Sequence, residues 1–247
     1  MSQTQLATRT LTISPVRQRP RRTGSDRYLV WGAGGHGRVV ADLIRATGAS
    51  IAGFVDAEAT KNGEIAEPGG ARVVVDEVGI RMCVEQGSPF PNDATAVVPA
   101  IGVNSLRAAH MAFLGDYLAP PLKHPSATVS PSATLGRGTV VLAGAIINAN
   151  AVIGPGCIIN SGATIEHDCV IGSAVHVSPG AVLCGGVNIE AECWIGAGST
   201  IIQGVHVRTR TIVGAGAVIL RNLPAGVTAI GVPGRWLPAD VPQITAS

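Results

Sequence analysis

The chain has 247 residues, of which 46% are hydrophobic, 14% are charged and only 3% are aromatic, and it contains 32 glycines. This balance excludes a disordered chain and a collagen, and the length suits one large or two small domains. No apolar run is long enough to span a membrane, and residues 1–26 lack the apolar core of a secretory signal, so we expect a cytoplasmic protein without a membrane partner.

An excess of positive charge lies at the start of the chain. Residues 1–25 carry five arginines and no acidic residue, so the formal net charge of +2 leaves −3 for the remainder. A slightly acidic body does not bind nucleic acid on charge alone. Residues 1–26 show no hydrophobic period and are predicted to be a disordered basic arm. The five cysteines have no C-x-x-C spacing and are expected to be reduced thiols.

A β-α-β pattern begins at Tyr28. Residues 28–31 are apolar and predict a buried strand, residues 32–37 predict a glycine-rich turn, and residues 39–46 have the apolar spacing of a helix. The next strand is predicted at residues 51–55, and further strands and helices follow at residues 72–75, 79–86, 95–101 and 105–115. Helices between successive strands imply a parallel sheet, so we expect a Rossmann-like domain over residues 27–122.

The turn after the first strand carries a phosphate-binding pattern, Gly32-x-Gly34-x-x-Gly37, and Asp56 follows about twenty residues later. Only about half of a full NAD fold is present, so we expect the loop to hold the diphosphate of a nucleotide-linked sugar at the helix N-terminus. Close strand–helix packing is the alternative explanation of the glycines, and helix capping is that of Asn104. The candidate substrate-binding residues are Gly32, Gly34, Gly35, His36, Gly37, Asp56 and Asn104.

The second half of the chain has a period of six. Every sixth residue from Val129 to Ile219, sixteen in succession, is Leu, Ile or Val, and a small or β-branched residue follows four positions after each of the first fifteen. This period fits neither a helix nor a simple strand. It fits a parallel β-helix in which three hexads make one triangular turn, with the aliphatic residue inside and the small residue at the corner. We expect this coil over residues 123–222, followed by a C-terminal tail over residues 223–247.

These features resemble a known family. The hexads resemble the left-handed β-helix of the hexapeptide-repeat acyltransferases. Residues 28–236 as a whole resemble the sugar O-acyltransferase group, which includes the sialic acid O-acetyltransferases and the bacterial nucleotide-amino-sugar N-acetyltransferases. One departure is Gly234, where that group usually has alanine. The segments that carry the resemblance are Gly32 to Gly37, Ile159 to Gly162, Ile165 to Gly172, His176 to Gly180 and Gly231 to Gly234.

The resemblance implies a homotrimer, with acetyl-CoA lying in each groove between neighbouring prisms. A convex prism also needs a neighbour or an added element to form a pocket. The residues expected to bind the cofactor are His176, Gly185, Gly186, Ala197, Ala215, Gly231 and Arg235. For His176 a corner position is the alternative explanation, and for Arg235 it is an ordinary exposed arginine.

His167 is the candidate general base. It lies two positions after the inward Ile165, and its stacking neighbours eighteen residues away are the small residues Ala149 and Gly185. We therefore expect an exposed ring that accepts a proton from an attacking amine or hydroxyl. Asp168 or Glu166 is expected to orient the ring, and the resemblance favours Asp168.

Backbone N–H groups at Gly185 or Gly186 are expected to hold the oxyanion, although a tight corner also explains these glycines. A thiol nucleophile at Cys184 is an alternative to direct transfer. The histidines and cysteines lack zinc spacing, so no metal is expected.

The sequence thus predicts an acetyl-CoA-dependent N-acetyltransferase that acts on the amino group of a nucleotide-linked amino sugar. O-acetylation of a sugar hydroxyl needs the same base and stays open as an alternative. A trimeric scaffold that senses a nucleotide is the non-enzymatic alternative.

Overall fold

The computed structural model of the chain describes residues 26–57, 63–64, 66 and 69–237. The predicted basic arm, except its last residue, and the end of the predicted C-terminal tail lie outside the described residues. An α/β domain is followed by a coil of short parallel strands, as predicted. No helix in the part of the chain that the structure describes is long and apolar enough to cross a membrane.

The first domain is a parallel four-stranded sheet with helices between its strands. The strand order is β3-β2-β1-β4, so the chain reverses direction across the sheet between β1 and β4. Ligands of such sheets bind outside the carboxyl ends of the strands at this point. The elements are β1 (Arg27–Trp31), α1 (Gly35–Ala46), β2 (Ser50–Asp56), β3 (Val73–Asp76), α2 (Glu77–Gln86), β4 (Ala96–Pro99) and α3 (Asn104–Leu114).

Helix α1 begins four residues earlier than predicted, because the last glycines of the turn are already helical. A Cβ at Gly37 would collide with the carbonyl oxygen of Gly32. Glycine therefore lets the helix start directly against the end of β1.

The coil has three faces. Except at its C-terminal end, they are built from two-residue strands that pair in register with the strand eighteen residues later. The domain face consists of β5 (Leu122–Lys123), β8 (Val140–Val141), β11 (Ile158–Ile159), β14 (His176–Val177), β17 (Trp194–Ile195), β20 (Ile212–Val213) and β22 (Thr228–Ile230). The second face consists of β6 (Thr128–Val129), β9 (Ile146–Ile147), β12 (Thr164–Ile165), β15 (Val182–Leu183), β18 (Thr200–Ile201) and β21 (Val218–Ile219). The third face consists of β7 (Thr134–Leu135), β10 (Val152–Ile153), β13 (Val170–Ile171), β16 (Asn188–Ile189) and β19 (His206–Val207).

The sixfold positions form the core of the prism. From Val141 onward the second residue of each two-residue strand is buried, and the small residues four positions later fill the corners at zero or near-zero exposure. The coil is longer than the predicted range, because Leu122 already pairs with Val140 and Thr228 pairs with Ile212. The last strand, β23 (Arg235–Leu237), is antiparallel to β22 and ends the sheet of the domain face.

Each corner places one residue in the left-handed backbone region. At the thirteen corners from Gly144 to Gly216 this second corner residue has φ between 53° and 70°. Glycine occupies most of these positions because it has no Cβ to oppose that conformation. Asn150 and Asp168, both with φ 59°, are two of the exceptions.

The first domain rests on the domain face. Leu122, Val140 and Ile158 of the coil are buried in the same apolar cluster as Val30 and Ile44 of the domain. Helix α3 reaches the corner between the third face and the domain face, which we call the docking corner. These contacts fix which face of the prism the domain covers and at which coils along the prism axis it lies.

Candidate active site

His167 lies on the corner between the second and third faces, with an exposed side chain, as its sequence position predicts. We call this corner the His167 corner. The Nδ1 atom is 2.8 Å from Oδ2 of Asp168. A carboxylate only accepts, so Nδ1–H donates and Nε2 carries the lone pair. Nε2 has no hydrogen-bond partner among the described residues, which leaves it available to a substrate.

Asp168 is the partner of the ring, whereas Glu166 is held elsewhere. Oε2 of Glu166 accepts from Nδ2 of Asn148 at 2.9 Å, and no contact between Glu166 and His167 is present in the described structure. Hydrogen bonds from His167 first, and from Asn150 second, lower the pKa of Asp168 below its ordinary value. The geometry thus favours Asp168 as the residue that fixes the tautomer.

Gly185 lies against the His167 ring. A Cβ at this position would be 2.6 Å from both Cε1 and Nε2 of His167, which is too close for any side chain. Its backbone φ is not in the left-handed region, and the other first corner positions from Ala143 to Ala215 carry a side chain. The ring, and not the corner, is therefore what requires glycine at position 185.

The two candidate oxyanion donors differ in their hydrogen bonds. The N–H of Gly186 donates to the carbonyl oxygen of His167 at 2.9 Å as part of the coil. The N–H of Gly185 has no partner among the described residues. Gly185 is therefore the donor that remains available. Cys184 is half-buried next to it, and no described base contacts its thiol.

Ala197 and Ala215 lie one coil apart on the corner between the domain face and the second face. Both are exposed, and their N–H groups have no partner in the described part of the chain. Gly216 donates to the carbonyl oxygen of Ala197 at 2.9 Å. This corner thus offers two outward N–H groups in line along the prism.

The glycine-rich turn borders a cavity of about 290 Å³ at the carboxyl edge of the sheet. A Cβ would collide with backbone at Gly32 and Gly37, but would meet nothing within 4 Å at Gly34. At Gly35 the nearest atom is Nη2 of Arg38, at 4.0 Å. Strand–helix packing thus explains the outer two glycines, while the inner two leave space for a ligand. The cavity is lined by Ala33, Gly34, Arg38, Asp56, Glu64, Ala66 and Val73.

His36 does not line this cavity but lies at the junction between the domain and the coil. Its ring centroid is 6.4 Å from that of His176, which is on strand β14 and not at a corner. Burial first, and the Arg107 guanidinium second, lower the pKa of His36 to about 4 and that of His176 to about 3. Both rings are therefore neutral at neutral pH. Nε2 of His176 accepts from Nδ2 of Asn160 at 3.1 Å.

Asn104 lies away from the glycine turn and contacts the coil. Its Nδ2 donates to the carbonyl oxygens of Glu192 at 3.1 Å and Cys193 at 2.9 Å, and its Oδ1 accepts from Arg107 at 2.7 Å. Both amide hydrogens are engaged in docking the domain. We therefore assign Asn104 to the interface and do not include it in the proposed substrate site.

Two cofactor candidates follow the last coil. Gly231, with φ 92°, and Arg235 are both exposed. At Gly234 a Cβ would be 2.5 Å from Cδ1 of Ile219 and 3.0 Å from the carbonyl oxygen of Val218. The departure from alanine at this position therefore has a packing reason.

Three further residues lie at the two candidate sites without having been predicted from the sequence. Arg38 and Glu64 line the cavity. Arg38 directly follows the last glycine of the turn, so the sequence could have indicated that it lies near the cavity. Asn150 donates to Asp168 from the coil below, at the eighteen-residue spacing already known from the hexads. No group of three or more metal-ligating side chains occurs in the described parts of the chain.

The His167 corner and the cavity at the glycine turn lie on different sides of one chain. The corner joins the second and third faces, and in a triangular cross-section it is opposite the domain face that carries the first domain. His167 therefore does not face the glycine turn or His36 of its own chain.

Three family models match the chain. The PglD N-terminal domain matches residues 27–112, the bacterial transferase hexapeptide of six repeats matches residues 150–185, and the hexapeptide repeat of succinyl-transferase matches residues 186–221. No curated protein matches the chain.

Several solved structures match most of it. PerB from Caulobacter crescentus, in complex with CoA and GDP-perosamine, is 39% identical with a TM-score of 0.76, over 88% of this chain and 99% of that chain. The acetyltransferase domain of PglB from Neisseria gonorrhoeae is 38% identical with a TM-score of 0.75, over 86% and 100%. WeeI from Acinetobacter baumannii is 28% identical with a TM-score of 0.73, over 86% and 100%.

The fold and these matches define a hexapeptide-repeat acyltransferase. The chain belongs to the acetyltransferases of this class that carry a PglD-type N-terminal domain before a left-handed β-helix. The predicted family, fold class and enzyme class are confirmed. The non-enzymatic scaffold is thereby excluded.

Proposed function

We propose that this enzyme transfers the acetyl group of acetyl-CoA to the amino group of a nucleotide-linked amino sugar, with His167 as the general base. The observation that carries the proposal is the exposed His167–Asp168 pair, whose ring packs against the Cα of Gly185, a residue with an open N–H. The relatives support the substrate class, since PerB was solved with CoA and GDP-perosamine.

The reaction is a direct transfer. The amine nitrogen attacks the thioester carbonyl carbon and gives a proton to Nε2 of His167, while the Gly185 N–H stabilises the oxyanion. The carbon–sulfur bond then breaks, and the CoA thiolate takes the proton from the imidazolium. The products are the acetamido sugar and CoA with a free thiol. Asp168 accepts from Nδ1–H throughout and stabilises the charged ring.

The glycine turn would hold the nucleotide sugar. Gly34 and Gly35 begin helix α1, whose N-terminus favours a diphosphate, and Arg38 lines the same cavity. Asp56 and Glu64 add two carboxylates that suit base or ribose hydrogen donors. His36, His176 and Asn160 form a neutral polar cluster on the domain face beside this loop, where the sugar would emerge.

A working site would need two protomers. His167 and the domain face are on opposite sides of one prism, so we propose a homotrimer in which the His167 corner of one protomer meets the domain of its neighbour. Exposed apolar residues flank that corner, Ile146 on the second face and Val152 and Val170 on the third. Ala197, Ala215, Gly231 and Arg235 would line the acetyl-CoA groove between the prisms.

The test is thiol release from acetyl-CoA with GDP-, UDP- and dTDP-linked amino sugars, and with the matching sugars that carry a hydroxyl in place of the amine. With the preferred sugar, His167→Ala is expected to lower kcat at least about a hundredfold, because the attacking amine loses its base. The Kd of acetyl-CoA should stay within about twofold, which controls for folding. Unchanged turnover in the variant would refute the base, and turnover only with hydroxyl sugars would refute N-acetylation.

A further inference from the structure

The His167–Asp168 pair is too exposed to orient itself. In the single chain the exposed fractions of the two side chains are 63% and 58%, and an exposed pair of this kind holds its own geometry only weakly. A general base must nevertheless be held close to its productive geometry. Some further contact has to fix the carboxylate.

Asn150 supplies that contact from one coil below. Its Nδ2 donates to Oδ1 of Asp168 at 3.1 Å, while Oδ2 of the same carboxylate accepts from His167. Each carboxylate oxygen thus has its own donor. The backbone N–H of Asn150 donates in turn to Oγ of Ser132 at 3.0 Å, so the column continues into the coil below.

The backbone shows why these residue types occur here. Asn150 and Asp168 occupy the left-handed second corner position, which glycine fills at most other corners. Among residues with a Cβ, asparagine and aspartate tolerate this conformation best. The corner therefore bears a side chain in two successive coils where glycine is the easier choice, and the two side chains bond to each other.

We propose that Asn150 is a positioning residue, which holds the Asp168 carboxylate so that its second oxygen fixes the His167 ring. This inference rests on the proposed function, because orientation of the His167 ring matters for the rate only if His167 accepts a proton as the general base. The adjacent pair serves as a contrast, since Asn148 bonds Glu166 at 2.9 Å across the same two coils without touching Asp168.

Two substitutions separate positioning from folding. Asn150→Gly removes the amide and relaxes the left-handed backbone, so Tm should not fall. Its kcat should fall roughly tenfold with the KM of both substrates within about twofold, because only the orientation of the base changes. Asn150→Asp keeps the shape and the backbone tolerance but removes the donor and adds a negative charge, so it should lose at least as much activity.

The pH dependence of kcat/KM separates the two roles of Asn150, because a purely structural role would leave it unchanged. The ionisable groups on this corner around the ring are the carboxylates of Asp168 and Glu166 and the thiols of Cys169 and Cys184, and only the contact to Asp168 changes in the variants. Asn150→Gly weakens the interaction of Asp168 with the protonated ring, so the acidic limb of kcat/KM should move to lower pH. Asn150→Asp adds a carboxylate near the ring, so the same limb should move to higher pH.

Asn148→Ala is the matched control, since it deletes the same amide on the same corner and should leave kcat and the acidic limb unchanged. Wild-type kcat and pH profile in Asn150→Gly, or an equal loss in Asn148→Ala, would overturn the inference. Activity retained in His167→Ala would instead overturn the proposed function. Loss in His167→Ala together with full activity in Asn150→Gly refutes the positioning role alone.

Discussion

The exposed position of the His167 ring depends on the residue stacked above it. Gly185 is eighteen residues further along the chain, and any Cβ there would overlap the imidazole. The proposed base and the glycine that leaves room for it thus occupy one column of the coil. The size of residue 185 therefore decides whether the His167 ring can occupy this position.

Gly185→Ala should move the ring from its position without unfolding the coil. The equivalent position at the other corners carries a side chain, so the backbone tolerates alanine and Tm should change by no more than a few degrees. Misplacement of the base by about 1 Å costs up to about a hundredfold in rate, and we expect a kcat loss of about that size. Steady-state kinetics with acetyl-CoA and the preferred sugar measure it.

The control is Ala149→Gly, on the same corner one coil below His167, which removes a methyl group and should have a small effect. Wild-type turnover in Gly185→Ala would show that the ring can move aside without loss of activity, and that glycine is not needed at position 185.

The sequence predicted the exposure of His167, because the eighteen-residue spacing identifies stacking neighbours without a structure. It could not identify Asn150, since that requires knowing where an amide points. It placed Asn104 with the substrate because the residue follows the last strand of the sheet, yet the helix it begins turns toward the coil. Side-chain direction at a domain interface has no signal in a single sequence.

Helix α3 holds the first domain on the prism through backbone carbonyls. Arg107 is only 1% exposed and donates to the carbonyl oxygens of Gly156 and Ala174, each at 2.8 Å, and to Ile101 at 2.7 Å. Gly156 and Ala174 are stacked on the docking corner, and Asn104 binds Glu192 one coil higher. One helix thus bonds three successive coils.

Arg107→Lys should weaken this docking. An ammonium keeps the charge but lacks the planar fork, so buried acceptors and a buried cation lose partners. We expect the free energy of unfolding to fall by about 3 kcal/mol, the size found when a buried charge loses its partners. Chemical denaturation followed by tryptophan fluorescence measures it, since Trp31 is in the domain and Trp194 in the coil.

Arg45→Lys on the solvent side of helix α1 is the control and should stay within about 0.5 kcal/mol of the wild type. An equal stability of Arg107→Lys and Arg45→Lys would show that the carbonyl contacts contribute nothing measurable to docking.

For the strands and helices, the sequence predicted the structure best where the six-residue period repeats. The hexads gave the three faces, the inward residues and the corners, because the same physical constraint recurs in each coil. The ends of the coil were less well predicted, since Leu122 and Thr228 stand outside the sixfold series and are recruited by pairing with complete coils.

The whole molecule separates its two functional parts. His167 lies on one corner of the prism, and the cavity at the glycine turn belongs to a domain on the opposite face. The sequence indicated both parts but not this separation, because only the path of the coil determines which face the domain covers.

Mixing two inactive variants tests the two-protomer site. His167→Ala lacks the base, and Gly34→Leu fills the mouth of the cavity, where the backbone accepts a side chain. If each site combines the two parts from different protomers, random trimers from equal amounts should recover about a quarter of wild-type activity. Turnover of the co-expressed proteins, with each variant alone as the baseline, gives the fraction.

Recovery no greater than the sum of the two variants alone would show that each site is built within one chain, and the proposed trimer arrangement would be wrong.

The contact between helix α3 and the docking corner also sets a register. Met111 packs so closely on Gly156 that a Cβ there would collide with its sulfur, whereas the residues at this corner one and two coils higher, Ala174 and Glu192, have one. The coils of the prism are spaced about 4.8 Å apart, and the one corner position that lacks a Cβ determines the coil on which helix α3 docks. Relocating the gap by eighteen residues, from position 156 to position 174, would therefore be expected to move the docked domain by one coil along the prism.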